Sequence, residues 1–198
     1  MSIKTMSYNK NNAYLELIIG PMFSGKTSRI VEIYKQCKFC NIPVSVINHS
    51  IDNRYDEELL STHDKIKIPC IKTDKLMDLL LTKYADLQKD ISKIFKSDVI
   101  LINEGQFFTD LQEFVNKLLE KGKKIYICGL DGDFERKKFG QLLDLIPLCD
   151  KVTKLTSLCN LCKNGNAGIF SKRISGEKEQ TVVGADNYIP VCRECYEK

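Results

Sequence analysis

Short runs of branched apolar residues alternate along the chain with longer stretches in which apolar positions recur every three or four residues. Tyr14 to Ile19 has the length and branching of a buried strand, and Gly20 ends it. From Lys26 to about Cys40, the positions Ile30, Ile33, Tyr34 and Cys37 keep helical spacing. Val44 to Ile47 reads as a second strand, and the polar, non-periodic stretch from His49 to Asp64 reads as a loop. Leu and Ile recur at helical spacing from Leu76 to Phe95, which predicts one or two helices. Val99 to Ile102 and Ile125 to Cys128 are continuous apolar runs, as parallel strands covered on both faces require. Between them, Leu111 to Lys121 is an amphipathic helix closed by Gly122. This alternation predicts an α/β fold, a parallel sheet flanked by helices.

Beyond about Cys149 the pattern changes to short polar segments, glycines and paired cysteines. The organisation expected is a polar, disordered tail over residues 1–12, an α/β domain over 13–150 and a small C-terminal unit over 151–198.

The first strand runs directly into Gly20, Pro21, Met22, Phe23, Ser24, Gly25, Lys26 and Thr27, which fit the phosphate-loop pattern GxxxxGK[ST] without mismatch. Each fixed position has a physical task. The glycines let backbone amides converge on phosphate oxygens, and Lys26 neutralises the outer phosphates as a point charge. The Thr27 hydroxyl is placed to coordinate Mg²⁺, and the helix starting there points its positive dipole end at the anion. A strand before and an amphipathic helix after are the context that gives the pattern meaning. They imply a nucleotide, without saying what is done with it.

Phosphate-loop enzymes carry an acidic residue at the end of a neighbouring apolar strand. Here Val99–Ile102 is followed by Asn103 and Glu104. At the C-terminal edge of a parallel sheet, Glu104 lies on the side of the phosphate loop and could accept a proton from a substrate hydroxyl. The plainer alternative is an exposed glutamate that begins a loop.

Nine cysteines are many for 198 residues. Cys159 and Cys162, with Cys192 and Cys195, form two CxxC pairs, the spacing by which two knuckles complete a tetrahedral Cys₄ zinc site. A closed thiolate shell makes such a zinc structural, clamping residues 163–191 at their base. Cys37 and Cys40 repeat the spacing with no second pair to match; they read as ordinary helix cysteines, with a redox role as the minor alternative.

Composition adds mainly exclusions. The formal charge of +4 is small and the lysines are interleaved with acids, so no basic stripe points to nucleic acid. Between the cysteine pairs, Lys172, Arg173 and Lys178 are offset by Glu177, Glu179 and Asp186. No apolar run has the length to cross a bilayer, and the first dozen residues lack the apolar core of a secretory signal. A cytoplasmic location, with no membrane partner, is the expectation.

Taken in order, GPMFSGKT, NEGQFF, LDGDFERKKFG, SKR and VVGADNYIPVCRECY resemble the motifs of thymidine kinases of the cellular and poxviral type, from about Leu15 to Tyr196. The resemblance implies a RecA-like sheet, ATP-dependent 5′-phosphorylation of thymidine and deoxyuridine in pyrimidine salvage, and a zinc-clamped lasso over the nucleoside. It implies Mg²⁺ with ATP, one structural Zn²⁺, feedback inhibition by dTTP, and a homotetramer. Carried over by position, Glu104 matches the general base. Phe107, Leu130, Phe134 and Phe139 match the walls of the base pocket, with Gln106 among the substrate-binding positions. Met22 and Ser171 fall near the thymine methyl, and Arg173, in the same SKR motif, is also among the substrate-binding positions. Gly184, Asn187 and Tyr188 lie in the lasso stretch that reads the base edge. Arg54 and Asp64 lie in a loop that approaches the phosphates. The chain departs from the family at Asn103, where relatives carry Asp, and this predicts weaker Mg²⁺ binding than an Asn103→Asp variant would show.

Two other classes compete with a nucleoside kinase. A nucleotide-driven switch with a zinc module would show a guanine-recognition motif such as NKxD, and none is present. A zinc-ribbon nucleic-acid binder would show a basic stripe, and the charge is interleaved instead.

Overall fold

Odd and even positions along the central strands part to opposite faces of a six-stranded parallel sheet. The computed structural model describes residues 12–51, 59–61, 66–80, 93–177, 179–182 and 184–198. The positions Arg54 and Asp64, residues 1–11 of the expected tail, and residues 81–92 of the expected helical stretch lie outside the described residues.

The strands are β1 (Tyr14–Ile19), β2 (Val44–His49), β3 (Leu59–Ser61), β4 (Lys67–Pro69), β5 (Ile71–Thr73), β6 (Val99–Ile102), β7 (Lys124–Gly129) and β8 (Lys151–Lys154). The sheet runs in the order β5-β2-β6-β7-β1-β8 with every pairing parallel. Helix α1 (Lys26–Phe39) packs on one face, where Ile18, Val46, Val99, Leu101 and Tyr126 meet Ile30, Val31 and Ile33. The helix Leu111–Glu120 packs on the other, where Leu15, Leu17, Ile100, Ile102, Ile125 and Ile127 meet Phe114, Val115 and Leu118. A strand's period of two delivers alternate residues to two separate cores, which is why these strands are apolar at nearly every position.

Four expected strands and two helices are present with ends shifted by a residue or two. The structure adds elements that the pattern does not announce. β5 and β8 form the two edges of the sheet, and β3 pairs with β4 inside and beyond the stretch read as a loop. These segments are three or four residues long and half-exposed, too short to display a period. Leu76–Leu80 forms a 3₁₀ turn and residues 93–96 are helical. The change of pattern at Cys149 comes before β8, so the four residues after Asp150 still belong to the main sheet. The C-terminal part that follows contains β9 (Ser157–Leu158), β10 (Ala167–Gly168), β11 (Phe170–Arg173), β12 (Tyr188–Val191) and a short helix, Arg193–Glu197. Among the described residues, no helix is long and apolar enough to cross a membrane.

Candidate active site

The parallel sheet ends its strands on one edge, and the loops leaving β1, β2, β6 and β7 gather there, where open α/β sheets bind ligands. The loop after β1 is wound tightly. A Cβ at Gly20 (φ 154°) would run into the carbonyl oxygen of Leu155, and Gly25 caps α1 in the left-handed region at φ 83°. Phe23 also has a positive φ, 62°. Lys26 is 8% exposed and its Nζ donates to Pro21 O at 2.6 Å. Ser24 Oγ is buried without a hydrogen-bond partner, so this loop carries an unmatched polar atom as well as a buried cation. That donor set, with the Thr27 hydroxyl beside it, fits a phosphate and its Mg²⁺.

Glu104 follows β6 in the left-handed region, at φ 54° and ψ 44°, and caps the 3₁₀ turn Gly105–Phe107. For a residue with a side chain this conformation costs about 1 kcal/mol, and such strain gathers at functional sites. Gln106 Nε2 donates to Glu104 Oε2 at 2.7 Å, and Gln106 Oε1 accepts from Leu130 N at 3.0 Å. Asn103, expected near a metal, is turned inward and only 1% exposed. Its Nδ2 donates to Asn48 Oδ1 and its Oδ1 accepts from the Cys128 thiol, both at 2.9 Å. The three residues stand at the ends of β2, β6 and β7 and lock those strand ends together.

One cleft joins these parts. It is lined by Met22 to Thr27 of the phosphate loop, by Glu104 and Gln106, and by the apolar side chains of Phe107, Leu130, Phe134 and Phe139. Ser171, Gly184 and Tyr188 close it from the C-terminal part. Phe107 and Phe139 meet edge to face with centroids 5.4 Å apart. Gly20, Pro21, Arg173 and Asn187 do not line the cleft. Ser171 Oγ accepts from Met22 N at 2.9 Å, so the phosphate loop is bonded directly to β11.

The terminal nitrogens of Arg173 are bonded within its own segment, while its Nε is buried without a hydrogen-bond partner. Its guanidinium donates to the carbonyls of Glu177, Glu179 and Gln180 and to the Tyr188 hydroxyl, and lies 3.8 Å over the Phe134 ring. The cleft also includes Ile51, Asp133, Gln180, Thr181 and Val182, which sequence reasoning did not single out. Gln180 Nε2 donates to Asp133 Oδ2 at 2.7 Å, and Asp133 Oδ1 accepts from the amides of Glu135 and Lys137. A carboxylate inside the motif LDGDFERKKFG was a visible signal for Asp133; nothing local marked Gln180.

His49, at the end of β2, packs against Phe107 and Phe108 with centroids 5.6 and 4.7 Å away, and its Nδ1 accepts from Ile51 N. Burial holds its imidazolium form down, lowering the pKa, with Asp74, Glu104 and Asp110 acting in the opposite sense.

The Sγ atoms of Cys159, Cys162, Cys192 and Cys195 all lie within 4.8 Å of one another. Zn–S bonds of about 2.3 Å in a tetrahedron separate the sulfurs by about 3.8 Å, so the donor set fits zinc with little adjustment. Asn166 Nδ2 stands 3.8 Å from Cys162 Sγ, an amide donor suited to a thiolate.

The family model for thymidine kinase matches residues 13–196, nearly the whole chain. The chain belongs to the thymidine kinase family. It is similar to the thymidine kinase of Sheeppox virus (strain KS-1), 40% identical over 184 residues, covering 92% of this chain and 96% of that one. The thymidine kinase of Yaba monkey tumor virus (strain VR587) is 39% identical over 191 residues, 96% and 98% of the two chains. That of Oryza sativa subsp. japonica is 41% identical over 188 residues, covering 92% of this chain and 65% of the plant protein.

Proposed function

We propose that this thymidine kinase moves the γ-phosphoryl group of ATP onto the 5′-hydroxyl of thymidine, and of deoxyuridine, for pyrimidine salvage. The observation that carries the reading is the opening of the Glu104 carboxylate into the same cleft as the phosphate loop and four apolar side chains. The amides of Phe23 to Thr27 and the Lys26 ammonium bind the phosphates. The Thr27 hydroxyl would hold the Mg²⁺ that accompanies ATP, which would supply charge neutralisation at the phosphates. Glu104 takes the proton of the 5′-hydroxyl, the oxygen attacks the γ-phosphorus in line, and ADP leaves.

Phe107, Leu130, Phe134 and Phe139 hold the base. Met22 and Ser171 approach its methyl group, and the backbone around Gly184, Asn187 and Tyr188 pairs with its polar edge. Cytosine reverses the donors and acceptors on that edge and would leave buried groups unpaired, a strong ground for rejection. A missing methyl costs only about 1–3 kcal/mol, so deoxyuridine is accepted. One structural Zn²⁺ on Cys159, Cys162, Cys192 and Cys195 ties residues 163–191, the lasso, at their base. A cytoplasmic homotetramer inhibited by dTTP completes the reading, as does a division into an α/β domain that includes β8 and a lasso unit that follows it.

A nucleoside panel assayed with ATP tests it. Thymidine and deoxyuridine should be phosphorylated and deoxycytidine should not. Glu104→Gln should abolish most transfer while ATP still binds; full activity in that variant would remove Glu104 from its role.

A further inference from the structure

Gln106 is a buried polar side chain of the cleft that is bonded at both ends of its amide. It is 3% exposed, in the 3₁₀ turn directly after Glu104 and Gly105. One end of its amide donates to Glu104 Oε2 at 2.7 Å, and the other accepts from Leu130 N at 3.0 Å. Leu130 follows β7 and is one of the apolar walls of the same cleft. Two glycines make the room that the residue occupies. A Cβ at Gly129 would strike Gln106 Oε1, and a Cβ at Gly140 would strike the Gln106 carbonyl oxygen. Through the Glu104 and Leu130 bonds, both polar atoms of the amide are committed to protein groups.

We infer that Gln106 is a positioning residue for phosphoryl transfer: it aims the Glu104 carboxylate and fixes the Leu130 wall, and it does not recognise the nucleoside. This rests on the reading of Glu104 as the base. The chemistry asks for an amide. A carboxylate that accepts from a fixed neutral donor keeps one orientation. A backbone N–H at the end of a central strand needs an acceptor in return. Glutamine supplies both from one planar group. Glutamate would keep the acceptor and set a second negative charge against Glu104; methionine, of similar length, would supply neither bond. The bond also ties the base to the wall of the nucleoside pocket, so a correctly packed thymidine and a correctly aimed carboxylate belong to one rigid unit.

Three variants test the inference: Gln106→Met, Gln106→Glu and Glu104→Gln, with the double variant Gln106→Met/Glu104→Gln. Kinetic constants for thymidine and ATP are measured from pH 5 to 9, with folding checked by circular dichroism. The expected result for Gln106→Met is a fall in kcat of tenfold or more with ATP KM within about twofold. In Gln106→Glu the two carboxylates share a proton more readily, so the acid limb of kcat should move to higher pH by at least one unit, with recovery in alkali. A purely structural role would lower the folded fraction and leave that limb in place. In the double variant, Gln106→Met should cost little beyond Glu104→Gln alone, because residues acting as a unit are not additive.

An unmoved acid limb in Gln106→Glu, together with kcat within twofold in Gln106→Met, overturns the inference while Glu104→Gln is impaired. A rise confined to thymidine KM overturns it in favour of a base contact. An unimpaired Glu104→Gln refutes the base assignment itself, and the positioning role falls with it.

Discussion

Replacing Arg173 by lysine keeps the charge and removes the geometry, and its effect follows from the contacts of the guanidinium. Arg173 donates to Glu177 O at 3.0 Å, Glu179 O at 2.6 Å and Gln180 O at 3.2 Å, and also to the Tyr188 hydroxyl. It stacks 3.8 Å over Phe134 and 5.0 Å from the Tyr188 centroid. A lysine ammonium is a compact donor that cannot span this fan or lie flat on a ring. Losing two of the hydrogen bonds costs about 1 kcal/mol each, and losing the stacking about 0.5–1 kcal/mol. The sum, about 2.5–3 kcal/mol, is a roughly 60- to 140-fold increase in the opening of the segment between β11 and β12. Amide hydrogen exchange reads this directly. The Ile174 amide, which donates to Asn187 O at 2.9 Å, should exchange faster by about that factor, while the amides of β6 and β7 keep their rates. Thymidine KM should rise with ATP KM little changed. Equal exchange at Ile174 in Arg173→Lys and the parent would show that the guanidinium does not hold the lasso, and the reasoning would fail.

Four further outcomes follow from other contacts. Tyr196 donates its hydroxyl to Phe134 O at 2.6 Å, so Tyr196→Phe strands that carbonyl at a cost of about 1 kcal/mol; thymidine KM should rise about fivefold by steady-state assay, with ATP KM unmoved. The four clustered thiols should hold one zinc per chain by elemental analysis, and Cys192→Ser or a strong chelator should remove it and lower Tm. Burial lowers the pKa of His49, so the unfolded chain takes up a proton near its ordinary value of about 6.5 while the folded chain resists. Stability should therefore fall as pH drops through that value towards the lower folded one, and His49→Gln should flatten the slope in urea titrations between pH 7 and 5. Asn103→Asp sets a carboxylate oxygen against Asn48 Oδ1, which should lower stability by about 1–3 kcal/mol in the same titrations unless the Asn48 amide turns over; an unchanged midpoint without such a turn would refute this account.

The sequence alone determined the parts whose signal is local. The phosphate loop is eight consecutive residues between a strand and a helix, and its chemistry follows from their types. The four central strands declare themselves because burial on both faces demands an unbroken apolar run. The four-cysteine cluster is legible because a CxxC knuckle is closed by its own spacing. The family motifs also named most of the residues lining the cleft. Only the tertiary structure decided what joins these pieces. β8 and β5 are recruited to the sheet by backbone pairing with β1 and β2, and their half-exposed edges leave no apolar signature. Ser171 reaches the Met22 amide across 149 positions, Gln180 reaches Asp133 across 47, and Gln106 reaches Leu130 across 24. Such bonds have no period and no motif, because the fold alone sets which strand ends become neighbours. For the same reason Gln106 and the terminal guanidinium nitrogens of Arg173, which look like substrate ligands in the motifs, are bonded to the protein that surrounds the cleft.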